Sequence, residues 1–154
     1  MPRKRARVPV VFDTNLFVTR FIKHNRHGIN RRVMDLWQDQ RKLQLIISPP
    51  VKREYLRVLE AYAGIAPDVL KLLEARLDSA SYVTQVNLGT RFRLSRDATD
   101  NKFLATARVG KAKYLVSRDH DLLDIPKADL RGLRFEIVTP LELLQKLGEL
   151  TSSP

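Results

Sequence analysis

Val8-Pro9-Val10-Val11-Phe12-Asp13-Thr14-Asn15 is the stretch that decides the fold. Five residues of mostly β-branched and aromatic character end abruptly on a carboxylate and two small polar residues. A short apolar run bounded this way reads as a buried strand, with its proline near the beginning where a missing N–H is tolerated. Similar runs recur along the chain: Leu43 to Ser48, the weaker Tyr82 to Val86, Tyr114 to Ser117 and Phe135 to Thr139. Helical patterns fill the intervals. Ile29 to Gln40 sets Val33, Leu36 and Trp37 on one face. Ser48-Pro49-Pro50 reads as a cap followed by first-turn prolines, opening a helix to about Ala63 with Val51, Tyr55, Leu56 and Leu59 as its stripe. Pro67 to Leu77 follows the Gly64 break with Val69, Leu72 and Leu73 inward, and Asp97 to Val109 and Pro140 to Leu147 complete the set. Strands alternating with helices predict βαβ units. The expected fold is α/β: a three-layer α/β/α sandwich around a mostly parallel, Rossmann-like sheet.

The 154 residues suit one domain, expected over residues 8–147, with a basic N-terminal tail at 1–7 and a C-terminal tail at 148–154. The composition, 44% hydrophobic and 29% charged, is that of a folded protein rather than a disordered one. Cysteine is absent, which rules out disulfides and thiolate metal sites and suits a cytoplasmic location. No apolar run approaches the roughly 20 residues that span a bilayer, so no membrane partner is expected. Lys and Arg number 28 against 17 Asp and Glu, a formal charge of +11. Such an excess attracts polyanions, and phosphate neutralisation supplies most sequence-independent affinity for nucleic acid. The basic residues fall in groups: Arg3 to Arg7, Arg26 to Arg32, Arg91 to Arg96, and Lys111 with Lys113. Arg91, Arg93 and Arg96 are candidate RNA contacts.

Sites in open parallel sheets form beyond the carboxyl ends of strands, and the acids of this chain fall there. Asp13 directly follows the first strand; Asp119 comes two residues after Ser117 closes a later one. Glu54 lies in the first turns of the helix after the second strand, and Asp100 in the first turn expected of the Asp97 helix. Four segments thus deliver carboxylates to one sheet edge, a costly arrangement unless a cation sits among them. Oxygen donors without cysteine or a close histidine pair suit hard ions, Mg²⁺ or Mn²⁺. His24, His27 and His120 stand alone and point to no zinc site. Each acid also has a plainer reading. Asp13 can cap a turn, Glu54 can answer a helix dipole, Asp97 can cap its helix, and Asp119 and Asp121 can shape a turn.

Taken in order, these segments resemble the PIN-domain family, in particular its toxin-like group related to VapC ribonucleases. The resemblance rests on Val10-Val11-Phe12-Asp13-Thr14-Asn15, on Ile47-Ser48-Pro49 with Glu54 and Leu59, and on Arg96-Asp97-Ala98-Thr99-Asp100-Asn101-Lys102-Phe103-Leu104-Ala105. It continues through Tyr114-Leu115-Val116-Ser117-Arg118-Asp119, Asp121-Leu122-Leu123 and Ile137-Val138-Thr139-Pro140. It implies a metal-dependent endoribonuclease with Asp13, Glu54, Asp100 and Asp119 as the acids that hold metal and carry catalysis. Asp121 matches an additional acid, and Asn15 and Ser117 match polar residues lining the pocket. A small antitoxin protein and a homodimer are the partners it implies besides RNA, and the helical stripe Val33, Leu36 and Trp37 is a candidate apolar surface for them, although core packing is its more ordinary role. Close relatives often read Arg-Asp-Pro-Asp-Asp in the third motif, where in this chain Ala98 and Thr99 replace the proline and the middle acid. A catalytically inactive PIN-like RNA-binding module is the alternative. A phosphatase or phospho-acceptor domain using Asp13 is disfavoured, because Asn15 stands where a dehalogenase-type site needs a second aspartate.

Overall fold

The computed structural model describes residues 6–21, 28–62, 64–89, 101–130 and 132–150. Five parallel strands form one sheet in the order β3-β2-β1-β4-β5: β1 Val8–Phe12, β2 Leu43–Ile47, β3 Val83–Gln85, β4 Tyr114–Val116 and β5 Glu136–Val138. Seven α-helices lie among the described residues: α1 Thr14–Val18, α2 Ile29–Gln38, α3 Pro49–Tyr62, α4 Pro67–Ser79, α5 Lys102–Val109, α6 His120–Leu123 and α7 Pro140–Lys146. The result is the expected three-layer α/β/α sandwich.

Strand β1 is central because its sequence lets it be. Val10, Val11 and Phe12 are all fully buried, as a strand covered on both faces requires. It pairs with β2 on one side (Val10↔Leu45) and β4 on the other (Phe12↔Val116). The chain order reverses between these two neighbours, so the carboxyl end of β1 is the topological switch point where such sheets bind ligands.

Aromatic side chains fill the space beneath that edge. Phe17 stacks on Tyr55 with centroids 4.0 Å apart, and Trp37 meets Phe12 edge-on at 6.0 Å. The Trp37 indole N–H donates to the Tyr82 carbonyl at 3.1 Å, which satisfies its one donor inside the core. Val33, Leu36 and Trp37 are therefore consumed by the domain's own packing, the ordinary role expected of this stripe, and are not available as a partner surface.

Other expectations shift in detail. On α4, Leu73 and Leu77 point inward, whereas Leu72 is 71% and Val69 48% exposed. That helix packs against α3 and β3 at the outer side of the sheet, so its buried face is narrower than its apolar stripe. The helix expected from Asp97 begins at Lys102, because Asn101 accepts from the Phe103 N–H and caps it. Asp97 and Asp100, expected in the first turn of that helix, lie outside the described residues. Ser48 spends its hydroxyl on Thr106 of α5 at 2.7 Å, both residues fully buried, while its carbonyl accepts from the Lys52 N–H. The short helices α1 and α6 were not foreseen; each starts immediately after a site aspartate, Asp13 or Asp119.

Candidate metal centre

Asp13 leaves the end of β1 with its N–H bonded to the Val116 carbonyl of β4, so its position is fixed by the sheet itself. Only 7% of it is exposed, and it makes no side-chain cap to α1. Asp13 is the N-cap residue of α1 by position, and its carbonyl accepts from the Phe17 N–H, but its carboxylate is not spent on the cap. Its Oδ2 instead accepts from the Ser117 hydroxyl at 2.7 Å. Ser117, fully buried, also accepts from the Asp119 N–H at 2.9 Å. One serine thus ties the two strand-end aspartates together across the switch point.

Burial pushes the Asp13 carboxyl above its usual range, and the nearby Asp119 and Glu54 carboxylates push it further, against the pull of Ser117 and the Thr14 N–H. This is the signature of an acid held among acids in a place short of positive charge.

Glu54 reaches the same region from α3. The fully buried Tyr55 hydroxyl donates to the Phe12 carbonyl, pinning α3 to the last residue of β1 and presenting the adjacent Glu54 to Thr14. The Thr14 hydroxyl donates to Glu54 Oε2, and Lys102, at the start of α5, lies 2.5 Å from Oε1. Desolvation raises the Glu54 carboxyl, but Lys102 and Thr14 outweigh it, so its pKa is lowered. Burial also lifts the Tyr55 hydroxyl well above its ordinary range, aided by Asp13 and Glu54, and keeps it a neutral donor.

Asp119 is exposed and accepts from the Asp121 N–H at 2.9 Å, capping α6; Asp121 is exposed as well. Asn15 lies on α1 one turn-residue beyond Thr14 and is exposed. Asp97, Asp100, Arg91, Arg93 and Arg96 lie outside the described residues. Thr14 and Lys102 are the site residues that sequence reasoning missed. Both were in plain view, directly after Asp13 and directly after Asn101, but hydroxyl and ammonium groups give no spacing pattern of their own.

In kind, the donors fit a hard divalent cation: carboxylate oxygens and hydroxyls, with no sulfur. In position, no three acid or histidine side chains among the described residues form a metal-sized group. Lys102 supplies the positive charge at Glu54, and the capping bond occupies Asp119. A cavity of 390 Å³ opens between the starts of α2 and α7, with Arg118 and Thr139 in its wall.

The PIN domain family description matches residues 9–121, well over half of the chain and spanning β1 to α6. The chain belongs to the PIN domain family. It is also similar to an uncharacterised protein of Methanocaldococcus jannaschii, MJ1680, with 28% identity covering 97% of each chain. PIN domains are nuclease domains that generally work with divalent metal ions.

Proposed function

We propose that this PIN domain is a metal-dependent endoribonuclease that hydrolyses RNA phosphodiester bonds. The observation that carries the reading is Asp13: a carboxylate buried at the switch point, its pKa raised by burial and by two further acids. Such a group is stabilised by a cation more than by water. Asp13, Glu54, Asp100 and Asp119 would hold Mg²⁺ or Mn²⁺, with Asp121 as an additional donor and Asn15 and Ser117 lining the pocket. A divalent ion there supplies an activated water and charge for the leaving oxygen. The chain's own residues do the rest. Ser117 orients the Asp13 carboxylate, Tyr55 fixes the distance from β1 to α3, and Lys102 holds Glu54 ionised. The +11 charge, with Arg91, Arg93 and Arg96 among its carriers, draws the RNA. The toxin role, an antitoxin partner, a homodimer and the cytoplasmic location rest on the resemblance to the VapC-related group and on the absence of cysteine.

One observation favours a second reading, an RNA-binding module that does not cut. The Lys102 ammonium already neutralises Glu54. Labelled single-stranded RNA, incubated with the protein in EDTA, Mg²⁺ or Mn²⁺, separates the two. Cleavage is expected only with metal, and Asp119→Asn should abolish it while leaving the melting temperature unchanged, since asparagine caps a helix as well as aspartate does. RNA bound but never cut would establish the second reading; cutting by Asp119→Asn at the wild-type rate would remove Asp119 from the site.

A further inference from the structure

Lys111 and Lys113, a basic pair that the acid site does not use, stand at the opposite end of the sheet, just before β4. With Arg108 of α5 and Arg134 before β5 they surround a cavity of 600 Å³ whose floor includes Ala112 and Phe135. No carboxylate lines it, and among the described residues none of the four cations takes part in an ion pair. Lys113 rests 5.6 Å from the Tyr114 ring centroid, which leaves its charge unneutralised. The contrast with other cations at this end is plain. Lys42 is paired with Glu149, and Arg7 donates to Gln44 and to two carbonyls.

Lys111 also differs from the other cation that shares its backbone conformation. Its φ is 54°, a left-handed conformation that favours glycine or asparagine after a helix. Arg41 shares that conformation at φ 55°, but its guanidinium covers the Tyr82 ring at 3.9 Å and donates to the Gln38 carbonyl. Lys111 makes no such contact among the described residues. The Lys111 backbone is held by the C-terminal bonds of α5, Lys111 N–H to the Arg108 carbonyl and Ala112 N–H to the Ala107 carbonyl, so what bears on a ligand is its unpaired ammonium.

We propose that this cavity binds backbone phosphates of the same RNA whose scissile bond lies at the acid end; the inference rests on the nuclease reading. Among the described residues β5 is the outermost strand and pairs only with β4, so a polynucleotide can pass along that edge from one end of the pair to the other. Lys113 and Ser117 are separated by four residues of extended chain, about 13 Å at roughly 3.3 Å per residue. A stacked strand advances roughly 3.4 Å per nucleotide, so the two ends are on the order of four nucleotides apart. The cavity therefore selects for length: RNA reaching both ends gains contacts that a shorter one lacks.

Fluorescence anisotropy in EDTA, where nothing is cut, tests this with single-stranded RNAs of about three and about twelve nucleotides. For the long RNA, Lys113→Gln with Arg134→Gln should lower the slope of log affinity against log salt by about 1.4, roughly 0.7 per lost phosphate contact. Lys111→Gly should lower it by about 0.7 with an unchanged or higher melting temperature, because glycine relaxes the left-handed backbone. The short RNA should not respond to either. Lys71→Gln with Arg76→Gln on α4 removes the same charge from the far side of the sheet and should leave the slope alone. If the α4 pair and the cavity pair act equally, net charge explains the binding and the cavity is not a site. An equal loss for short and long RNA overturns it as well. RNA that fails to bind the wild type overturns the nuclease reading and this inference together; normal binding with no response to the cavity variants overturns only the inference.

Discussion

At the carboxyl end of the sheet, Asp13, Glu54 and Asp119 crowd near the chain reversal; at the amino end, the same strands begin among Lys42, Lys113 and Arg134. Part of this sorting is ordinary. In a parallel sheet with helical crossovers, helices start at the carboxyl end and finish at the amino end, and their dipoles favour acids at the first and bases at the second. Arg108 in the last turn of α5 and Asp121 in the first turn of α6 fit that rule without any ligand. Two residues break it. Asp13 is buried, so its charge is destabilised where it sits, and the Lys111 ammonium beyond the end of α5 has no ion-pair partner among the described residues. The difference between the ends teaches where to look: at the members of each charge group that stability alone does not explain. Helix α5 joins them, with Lys102 reaching Glu54 from its first turn and Arg108 entering the basic cavity from its last.

The largest effect is expected at Asp13. Asp13→Asn should lower metal-dependent RNA cleavage by at least about 100-fold, the scale on which loss of one charge-stabilising group acts. Its effect on stability should have the opposite sign. The folded-state pKa is raised above 3.8, so Asp13 favours the fold below that value and loses this contribution as pH rises through its folded pKa. Metal-free Asp13→Asn should therefore melt higher than wild type at pH 7, and the gain should vanish near pH 3. A variant less stable at pH 7 would show that the Ser117 bond outweighs the cost of burial.

Glu54→Gln sharpens the contrast within the acid end. Its pKa is lowered from 4.5, so it stabilises the fold above that value, and the contribution is lost as pH falls through its folded pKa. Glutamine should lower the melting temperature at pH 7 and converge with wild type in acid. Cleavage should fall about 10- to 100-fold, the usual result of disturbing a metal site's supporting groups. Two acids of one cluster would then move stability in opposite directions, Asp13 lacking the ammonium that Glu54 has.

At the amino end, Gly110 sets how closely α5 approaches β2. A Cβ there would lie 2.2 Å from Ile46 Cγ2, and Ile46 is in the core. Gly110→Ala should cost about 1–3 kcal/mol by overpacking, seen in chemical denaturation. Adding Ile46→Ala removes the clashing methyl, so the double variant should be more stable than the two single losses sum to. Strict additivity would mean the helix shifts instead.

The strands and the acid edge were legible because a parallel sheet writes them twice, as apolar runs and as the polar residues that end them. Val8–Phe12 and Leu43–Ile47 carry that signal in five residues each. The short helices α1 and α6, five and four residues long, are too brief for periodicity. The α4 stripe misled because periodicity reports an apolar face but not how much of it finds a neighbour; Leu72 and Leu73 are adjacent, yet only the second is covered. Asn101 caps the helix by standing next to its first residue, which composition could not decide. Thr14, Tyr55 and Lys102 matter through what they touch across 40 or more residues of chain, and no local pattern encodes that.

Asp121 should give the smallest effect, and it bears on what makes the acid end work. Its N–H serves the Asp119 cap, while its carboxylate is exposed in the first turn of α6. Asp121→Asn keeps the backbone bond and removes only an exposed charge, so stability should stay within about 0.5 kcal/mol of wild type. If activity depends on total negative charge at this edge, Asp121→Asn should weaken cleavage about as much as Asp119→Asn. If it depends on position, the buried and tethered acids dominate, and the loss should be only a few-fold, much of it recovered by raising Mn²⁺. Position is the expected answer, because Ser117 bonds to both Asp13 and the backbone of Asp119 and to nothing on Asp121. Titrating Mn²⁺ against the cleavage rate for both variants decides it. Equal losses that no metal concentration restores would move Asp121 into the centre of the site and shift the cluster toward α6.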